Sequence, residues 1–153
     1  MIIKLNEIPE QGLHVVDEEP GELLGLEDDP VFSAAGPVRC ELYVQVVDDI
    51  LIVRGTVSAE ILAECARCTQ IFSTMVTDSG FLRDYSDILE VEEVDVTEAL
   101  REAIILELPH FPLCDEGCKG LCPHCGKDLN EGPCGCSGGD KGGAWEALDN
   151  LKL

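Results

Sequence analysis

Eight of the nine cysteines in this chain occur as four close pairs, an arrangement that suits the binding of metal ions. The pairs lie in the segments CARC, CDEGC, CPHC and CGC. Zinc takes four ligands, and two residues between paired cysteines let both thiolates reach one ion from a tight turn. Eight thiols at four per ion therefore predict two structural zinc ions. The predicted ligands are Cys65, Cys68, Cys114, Cys118, Cys122, Cys125, Cys134 and Cys136.

Two groupings of these pairs into four-thiolate sites are compatible with the spacing. In the first, CPHC and CGC close on one ion locally, and CARC shares the other ion with CDEGC. In the second, CARC and CPHC bind one ion together, as in an ordinary zinc ribbon. The remaining pairs would then be spare or form a distorted site. The first grouping is favoured because it leaves no thiol without a partner.

Other uses of paired cysteines fit the sequence less well. Disulfides are rare in cytosolic proteins, and no secretion signal is visible. A thioredoxin-like CxxC belongs beside a parallel βαβ pattern, which does not flank CARC. Four thiolates also suit an iron–sulfur cluster, which stays an alternative to zinc. Because four thiolates leave no open position on the ion, we expect structural sites and no catalytic residues.

The formal net charge of -21, from 31 acidic and 10 basic residues, restricts the possible partners. It disfavours nucleic-acid binding, which needs clustered Lys and Arg, and it favours a basic partner. A purely solubilising role of the acidic surface is the alternative. The sequence begins MIIKLNEIPEQG, which has no signal-peptide pattern, and no run approaches about 18 apolar residues. We therefore expect a cytoplasmic protein without membrane contact.

Alternating apolar and polar residues predict the elements that would position these cysteines. The alternation runs from Cys40 to Val47 and from Leu51 to Glu64, separated by a turn at Asp48–Asp49, which predicts an antiparallel hairpin. Gly55 is predicted to mark a bulge or a bend. CARC follows the second run and precedes a third extended segment, so we expect it at a reversal between two strands. The lone Cys40 is expected to be a buried apolar side chain.

One segment shows clear helical periodicity. A helix is predicted over residues 96–108, ended by Pro109. Asp95 is placed to cap its first turn, and Glu98 is placed to reach back in a capping box. Upstream, the acidic segment 17–30 is expected to be a loop or one short helical turn around Glu22 to Leu26, and SAAGP (33–37) is expected to interrupt the chain.

These patterns predict an α+β fold with a mainly antiparallel β body, one main helix, a Cys-rich zinc-ribbon-like tail and a short C-terminal helix. The body covers residues 1–113. The metal-binding segment covers 114–137 and packs on the body. After a flexible linker over 138–143, the terminal helix covers 144–153.

Several of these motifs resemble the bacterial YceD family, also called the DUF177 domain. They are CARC after a strand, the helix TEALREAIILELP, the run CDEGCKGLCPHCGKDLN followed by CGC, and the Leu-rich terminal helix. The resemblance covers roughly residues 40–153 and points to the metal-rich branch, although GGDKGGAWEAL lacks the usual Asp-Pro-Arg opening. It implies a part in the accumulation of large-subunit (23S) ribosomal RNA, hence in ribosome biogenesis. Genes of the family often lie beside that of a small, basic large-subunit ribosomal protein, and no enzymatic activity is established for it.

Charge and resemblance together predict a non-enzymatic assembly factor. It would bind a basic large-subunit ribosomal protein, contact rRNA only indirectly and take no small-molecule substrate. The first alternative is a zinc-ribbon protein that binds rRNA directly through Arg67, Lys119 and Lys127, beside the cysteine pairs. The second alternative is a thiol redox enzyme that uses CARC.

Overall fold

A computed structural model describes residues 1–136 of the chain. The predicted linker and terminal helix lie outside that range. Residues 1–136 form six β-strands and one α-helix, and the prediction of a mainly antiparallel β fold with one helix is confirmed for them. The elements are β1 (Ile2–Lys4), β2 (Leu13–Glu19), β3 (Phe32–Val47), β4 (Ile50–Glu64), β5 (Ile71–Tyr85), β6 (Glu93–Asp95) and α1 (Thr97–Leu106).

A four-stranded antiparallel sheet, in the order β2-β3-β4-β5, forms the body of the molecule. The predicted hairpin is its centre: β3 and β4 pair along their length, with Val44 opposite Val53, and they are joined by the turn at Asp48–Asp49. Alternate residues of both strands are buried, including the lone Cys40, as the alternation predicts.

Gly55 marks a bulge, as predicted. The pairing of β4 with β5 shifts between Gly55 and Val57, and the backbone φ of Gly55 is 154°. A side-chain carbon at this position would collide with the carbonyl oxygen of Glu41 on β3. β4 can therefore approach β3 this closely only because the residue is glycine.

The core lies between one face of the sheet and α1. The helix buries Leu100, Ala103 and Ile104 against it, and a 3₁₀ turn at Gly21–Leu24 adds Leu24. β1 and β6 form a separate two-stranded antiparallel ribbon that leads directly into the helix. The largest fully buried side chains are Phe81, Leu24, Leu42, Leu51, Ile61, Leu100, Ile104, Val38, Val44, Val53, Val57 and Val96.

The predicted interruption at residues 33–37 is wrong, since β3 runs through this segment. Its pairing with β4 instead shifts between Ala34 and Val38, around Gly36 and Pro37. Proline donates no hydrogen bond to a neighbouring strand, and such residues are tolerated inside a sheet where a bulge breaks the ladder. In segment 17–30 the predicted short helical turn is present as the 3₁₀ turn, but residues 17–19, expected outside any strand, belong to β2.

The start of α1 follows the prediction in one respect and departs from it in another. The N-cap of the helix is Val96, one residue later than predicted, but a carboxylate oxygen of Asp95 still accepts a hydrogen bond from the Thr97 backbone N–H at 2.9 Å. The predicted capping box is wrong, because Glu98 pairs with Arg101 at 3.1 Å. A cation one turn along the helix competes for the carboxylate that would otherwise reach back. None of the helices in the described part of the chain has the length and apolarity to span a bilayer.

Candidate metal centres

The CARC segment forms a tight turn at the reversal between β4 and β5, where the sequence places it. The Thr69 N–H donates to the Cys65 carbonyl oxygen at 2.9 Å, and the Cys65 N–H donates to the Gln70 carbonyl oxygen at 2.9 Å. The turn closes with Thr69 in a left-handed conformation, at φ 60°. This geometry brings the side chains of Cys65 and Cys68 to the same side of the turn.

CPHCG forms the same turn further along the chain. The Gly126 N–H donates to the Cys122 carbonyl oxygen at 2.9 Å, and the Cys122 N–H donates to the Lys127 carbonyl oxygen at 2.8 Å. Gly126 takes the left-handed position, at φ 71°. Both turns therefore have the backbone that presents paired thiolates to a metal ion.

Four cysteine sulfurs meet beneath the first turn and are named the inner cluster. Its members are Cys65, Cys68, Cys114 and Cys118, whose sulfurs all lie within 4.8 Å of one another. The Cys65 and Cys118 sulfurs are 3.8 Å apart, and those of Cys68 and Cys114 are 3.5 Å apart. Three of the four side chains are buried, and Phe72 and Leu113 pack against them.

The other four sulfurs form the outer cluster, of Cys122, Cys125, Cys134 and Cys136, again within 4.8 Å of one another. The Cys122 and Cys134 sulfurs are 3.3 Å apart. Cys125 and Cys136 are exposed, and Cys122 is buried. The cysteines are thus arranged in the grouping that the sequence favours, and not in that of an ordinary zinc ribbon.

The donor set of each cluster fits a tetrahedral metal ion. Four sulfurs placed about 2.3 Å from one zinc ion would be separated by about 3.8 Å, close to the observed separations. The side-chain amide of Asn130 also donates to the Cys118 sulfur at 3.4 Å, as supporting groups around thiolate sites do. Either cluster could therefore hold a metal ion, and four thiolates suit zinc and iron alike.

One thiol in each cluster ionises easily. Burial raises the pKa of Cys65, but backbone hydrogen bonds, led by that from Cys114, lower the pKa to about 6. In the outer cluster, backbone hydrogen bonds led by that from Cys125 lower the pKa of Cys122 to about 6. These thiolates would be the first to attract a cation at neutral pH.

A second thiol in each cluster resists ionisation. The hydrogen bond with the Cys68 side chain, together with burial, raises the pKa of Cys114 to about 12. The corresponding bond with Cys125, again with burial, raises the pKa of Cys136 to about 12. Four negative charges at this spacing repel one another, so a bound cation is what would allow all four thiols to lose their protons.

The two clusters are connected to the body through the CARC turn. The Ala66 N–H donates to the Pro112 carbonyl oxygen at 2.8 Å, just after the helix. The Arg67 guanidinium donates to the Cys118 carbonyl oxygen at 2.9 Å, and the Leu121 N–H donates to the Arg67 carbonyl oxygen at 3.0 Å. The inner cluster thus lies where the sheet, the segment after α1 and the outer cluster meet.

The three cations that the sequence places beside the cysteine pairs have different surroundings. The side chains of Arg67 and Lys127 donate to backbone carbonyls within the cysteine-rich segment, Lys127 to Pro133 at 3.2 Å. Lys119 is exposed. Asn130 is absent from the sequence-based predictions, because no spacing signal reveals its contact with Cys118.

Comparisons with known proteins find one matching family model and several proteins of similar sequence. The family model of the large ribosomal RNA subunit accumulation protein YceD matches residues 53–152. An uncharacterised protein of Mycobacterium tuberculosis is 31% identical, over 80% of this chain and 59% of its own length. The chloroplastic large ribosomal RNA subunit accumulation protein YCED homolog 1 of Arabidopsis thaliana is 36% identical, over 41% of this chain and 20% of its own length. The match thus spans little more than half of the mycobacterial relative, and no solved structure matches significantly.

Proposed function

Since the chain belongs to the YceD family of large ribosomal RNA subunit accumulation proteins, we propose that it is a non-enzymatic ribosome biogenesis factor that binds a basic large-subunit protein. The observation that carries the proposal is the net charge of -21. Such a surface attracts a lysine-rich protein at electrostatically steered rates and repels RNA phosphates. Its role in the accumulation of large-subunit rRNA would then be indirect, through delivery of that protein.

The distribution of charge supports this partner. In the described part of the chain, Lys4, Arg39, Arg83 and Arg101 each lie within 4 Å of a glutamate. Since these cations are already matched, the acidic surplus is left to face solvent. The exposed acidic residues proposed as contacts are Asp17, Glu18, Glu22, Glu27, Asp28, Asp29, Glu90, Glu92, Glu93 and Asp95, of which Glu18 also pairs with Arg39.

The proposed role of metal is structural. Each cluster would hold one zinc ion with four thiolates, which leaves no position for a reacting water. In small modules a zinc ion contributes on the order of 10–16 kcal/mol to folding. We propose that the ions fold segment 114–137 onto the β-rich body of residues 1–113. A zinc ion with four thiolates also carries about two negative charges, which adds to the acidic surface.

The alternative of direct RNA binding receives less support. Two of its three cations, Arg67 and Lys127, hold the cysteine-rich segment together through backbone carbonyls. Three cations are in any case a small footprint for a nucleic acid.

A comparison of protein binding with RNA binding tests the proposal. Purified, metal-loaded chain is mixed either with the proteins extracted from purified large ribosomal subunits or with transcribed large-subunit rRNA fragments. We expect a basic subunit protein to bind tightly, with an affinity that falls steeply as salt rises, and the RNA to bind weakly at physiological ionic strength. Sub-micromolar RNA binding without any ribosomal protein bound would replace the proposal by the RNA-binding alternative.

A further inference from the structure

The first half of β5 is an edge strand without the usual protection. β5 is the last strand of the four-stranded sheet in the described part of the chain. Residues 71–77 pair with β4 on one side. Their backbone groups make no hydrogen bond to another segment of residues 1–136. Seven residues present an edge about 24 Å long, enough to pair with an added strand.

Natural proteins protect such edges with charged residues, proline or bulges. The opposite edge, β2, follows this rule with Asp17, Glu18 and Glu19. By contrast, residues 71–77 read IFSTMVT, without a charge or a proline, and the bulge near Gly80 comes only after them. Within residues 1–136 the two edges of the sheet therefore differ, and the first half of β5 lacks the charges that β2 carries.

The side chains beside this edge are apolar and acidic. On the outer face of the sheet, Ile71 is 72% exposed and Met75 is 56% exposed. The neighbouring strand places Glu60 opposite Met75 and Glu64 opposite Ile71. A segment added to β5 would thus meet apolar side chains first and carboxylates about two strand spacings, or roughly 10 Å, away.

The geometry points to β5 as the docking site for an extended, basic segment of the partner, which adds a fifth strand to the sheet along residues 71–77. The identification of the partner as basic rests on the proposed function. Lysines on the outer face of such a segment would lie beside Ile71 and Met75 and extend towards Glu60 and Glu64. Its alternate, apolar side chains would lie on the other face, beside Phe72 and Val76. A second copy of the chain fits less well, since it would bring another charge of -21 against the same edge.

The inner cluster holds this edge in place. Phe72, the second residue of β5, packs against the cluster, and the Gln70 side chain donates to Asp128 of the cysteine-rich segment at 3.3 Å. Metal binding would therefore order the start of the docking strand, and partner binding and metal content should vary together.

Two synthetic peptides test strand addition with the full-length, metal-loaded protein. The first alternates lysine and valine over seven residues, and the second has the same sequence with every amide N-methylated. Both carry the same charge, but only the first can pair with an edge strand. We expect the first to bind with a salt-dependent affinity and to slow amide hydrogen exchange within residues 71–77, and the second to bind at least about fivefold more weakly.

Variants locate the site. Met75→Lys should weaken the binding of the first peptide about fivefold, and Met75→Glu should preserve or strengthen it, because each changes the charge beside the added strand. Val16→Lys, at a position on β2 that is 79% exposed, is the matched control and should leave binding unchanged. Equal binding of both peptides, or protection elsewhere in the chain, would overturn the inference.

Two further outcomes would replace the proposed occupant. If the protein without peptide is monomeric and the amides of residues 71–77 still exchange slowly, the chain covers its own edge. A dimer that Met75→Lys dissociates would assign the edge to a second copy.

The edge site and the proposed function can also fail separately. If a ribosomal protein binds and Met75→Lys leaves its affinity unchanged, strand addition fails and the proposed function stands. If the peptide binds as expected and no ribosomal protein does, the proposed function fails and the edge site stands.

Discussion

At the residue scale, the CARC and CPHCG turns differ at the position that closes them. Gly126 takes the left-handed conformation of the second turn without strain, whereas Thr69 takes it in the first. Positive φ is unfavourable for a β-branched residue and persists only where its surroundings impose it. The hydrogen bonds of the CARC turn and the strands on either side of it supply that constraint. The strained residue Thr69 thus lies beside the inner cluster, the more buried of the two clusters.

Cys40, the ninth cysteine, provides a pH-dependent test of the core. Burial, with smaller contributions from Glu19 and Asp17, raises its pKa from 9.0 to about 11. The folded state therefore holds the thiol proton more tightly than the unfolded chain does. The resulting stabilisation is fully present below pH 9 and is lost as the pH rises towards 11.

We therefore expect Cys40→Ala to remove part of the alkaline loss of stability. The measurement is the free energy of urea unfolding of both proteins between pH 8 and about pH 11. The variant should be less stable at pH 8, because it leaves a cavity, and the difference should shrink as the pH rises. Parallel curves across this range would contradict the expectation.

At the scale of elements, Gly55 controls how β4 passes between its neighbours. At this residue the β4 backbone lies so close to Glu41 on β3 that no side chain fits. Gly55→Ala should lower the free energy of unfolding by about 3 kcal/mol, from backbone strain and steric overlap. Urea unfolding measures this loss.

Gly36→Ala is the matched control on the adjacent strand. Nothing lies within 4 Å of the position that its added carbon would take, and its backbone does not have the left-handed conformation. Its effect should stay within about 0.5 kcal/mol. Equal losses from the two variants would show that close approach at Gly55 does not limit the sheet.

At the scale of the whole molecule, the two clusters should contribute unequally to stability. The inner cluster joins the sheet to the segment that follows α1, whereas the outer cluster closes within one short stretch of chain. Cys68→Ser should therefore lower the melting temperature by on the order of 10 °C, or about 3 kcal/mol, and Cys134→Ser by no more than about 2 °C. Elemental analysis should find about two zinc ions in the unaltered protein and about one in either variant.

Equal melting losses from both variants would contradict this division of roles. One zinc ion or none in the unaltered protein, with all thiols free under reducing conditions, would contradict the two-site proposal itself. These outcomes are separable because metal content and melting temperature are measured on the same samples.

The sequence by itself determined the parts of the molecule that depend on neighbouring residues. The β3–β4 hairpin, the Gly55 bulge and the position of CARC between two strands all follow from alternation and turn residues. The outer cluster belongs to the same class, because its cysteines are close along the chain. Local spacing limits the backbone to a few conformations, so these features can be read without the rest of the fold.

The tertiary structure alone decided which distant residues meet. Cys65 and Cys118 are separated by 53 positions, and the sequence favours their pairing only by leaving no thiol spare. The β1–β6 ribbon joins both ends of the body, and Glu98 turns to Arg101 instead of its own helix cap. The predicted break at 33–37 is instead part of β3, which pairs with β4 on either side of a shift between Ala34 and Val38. In each case the packing of elements far apart in the chain outweighs the local preference, and no local pattern encodes that packing.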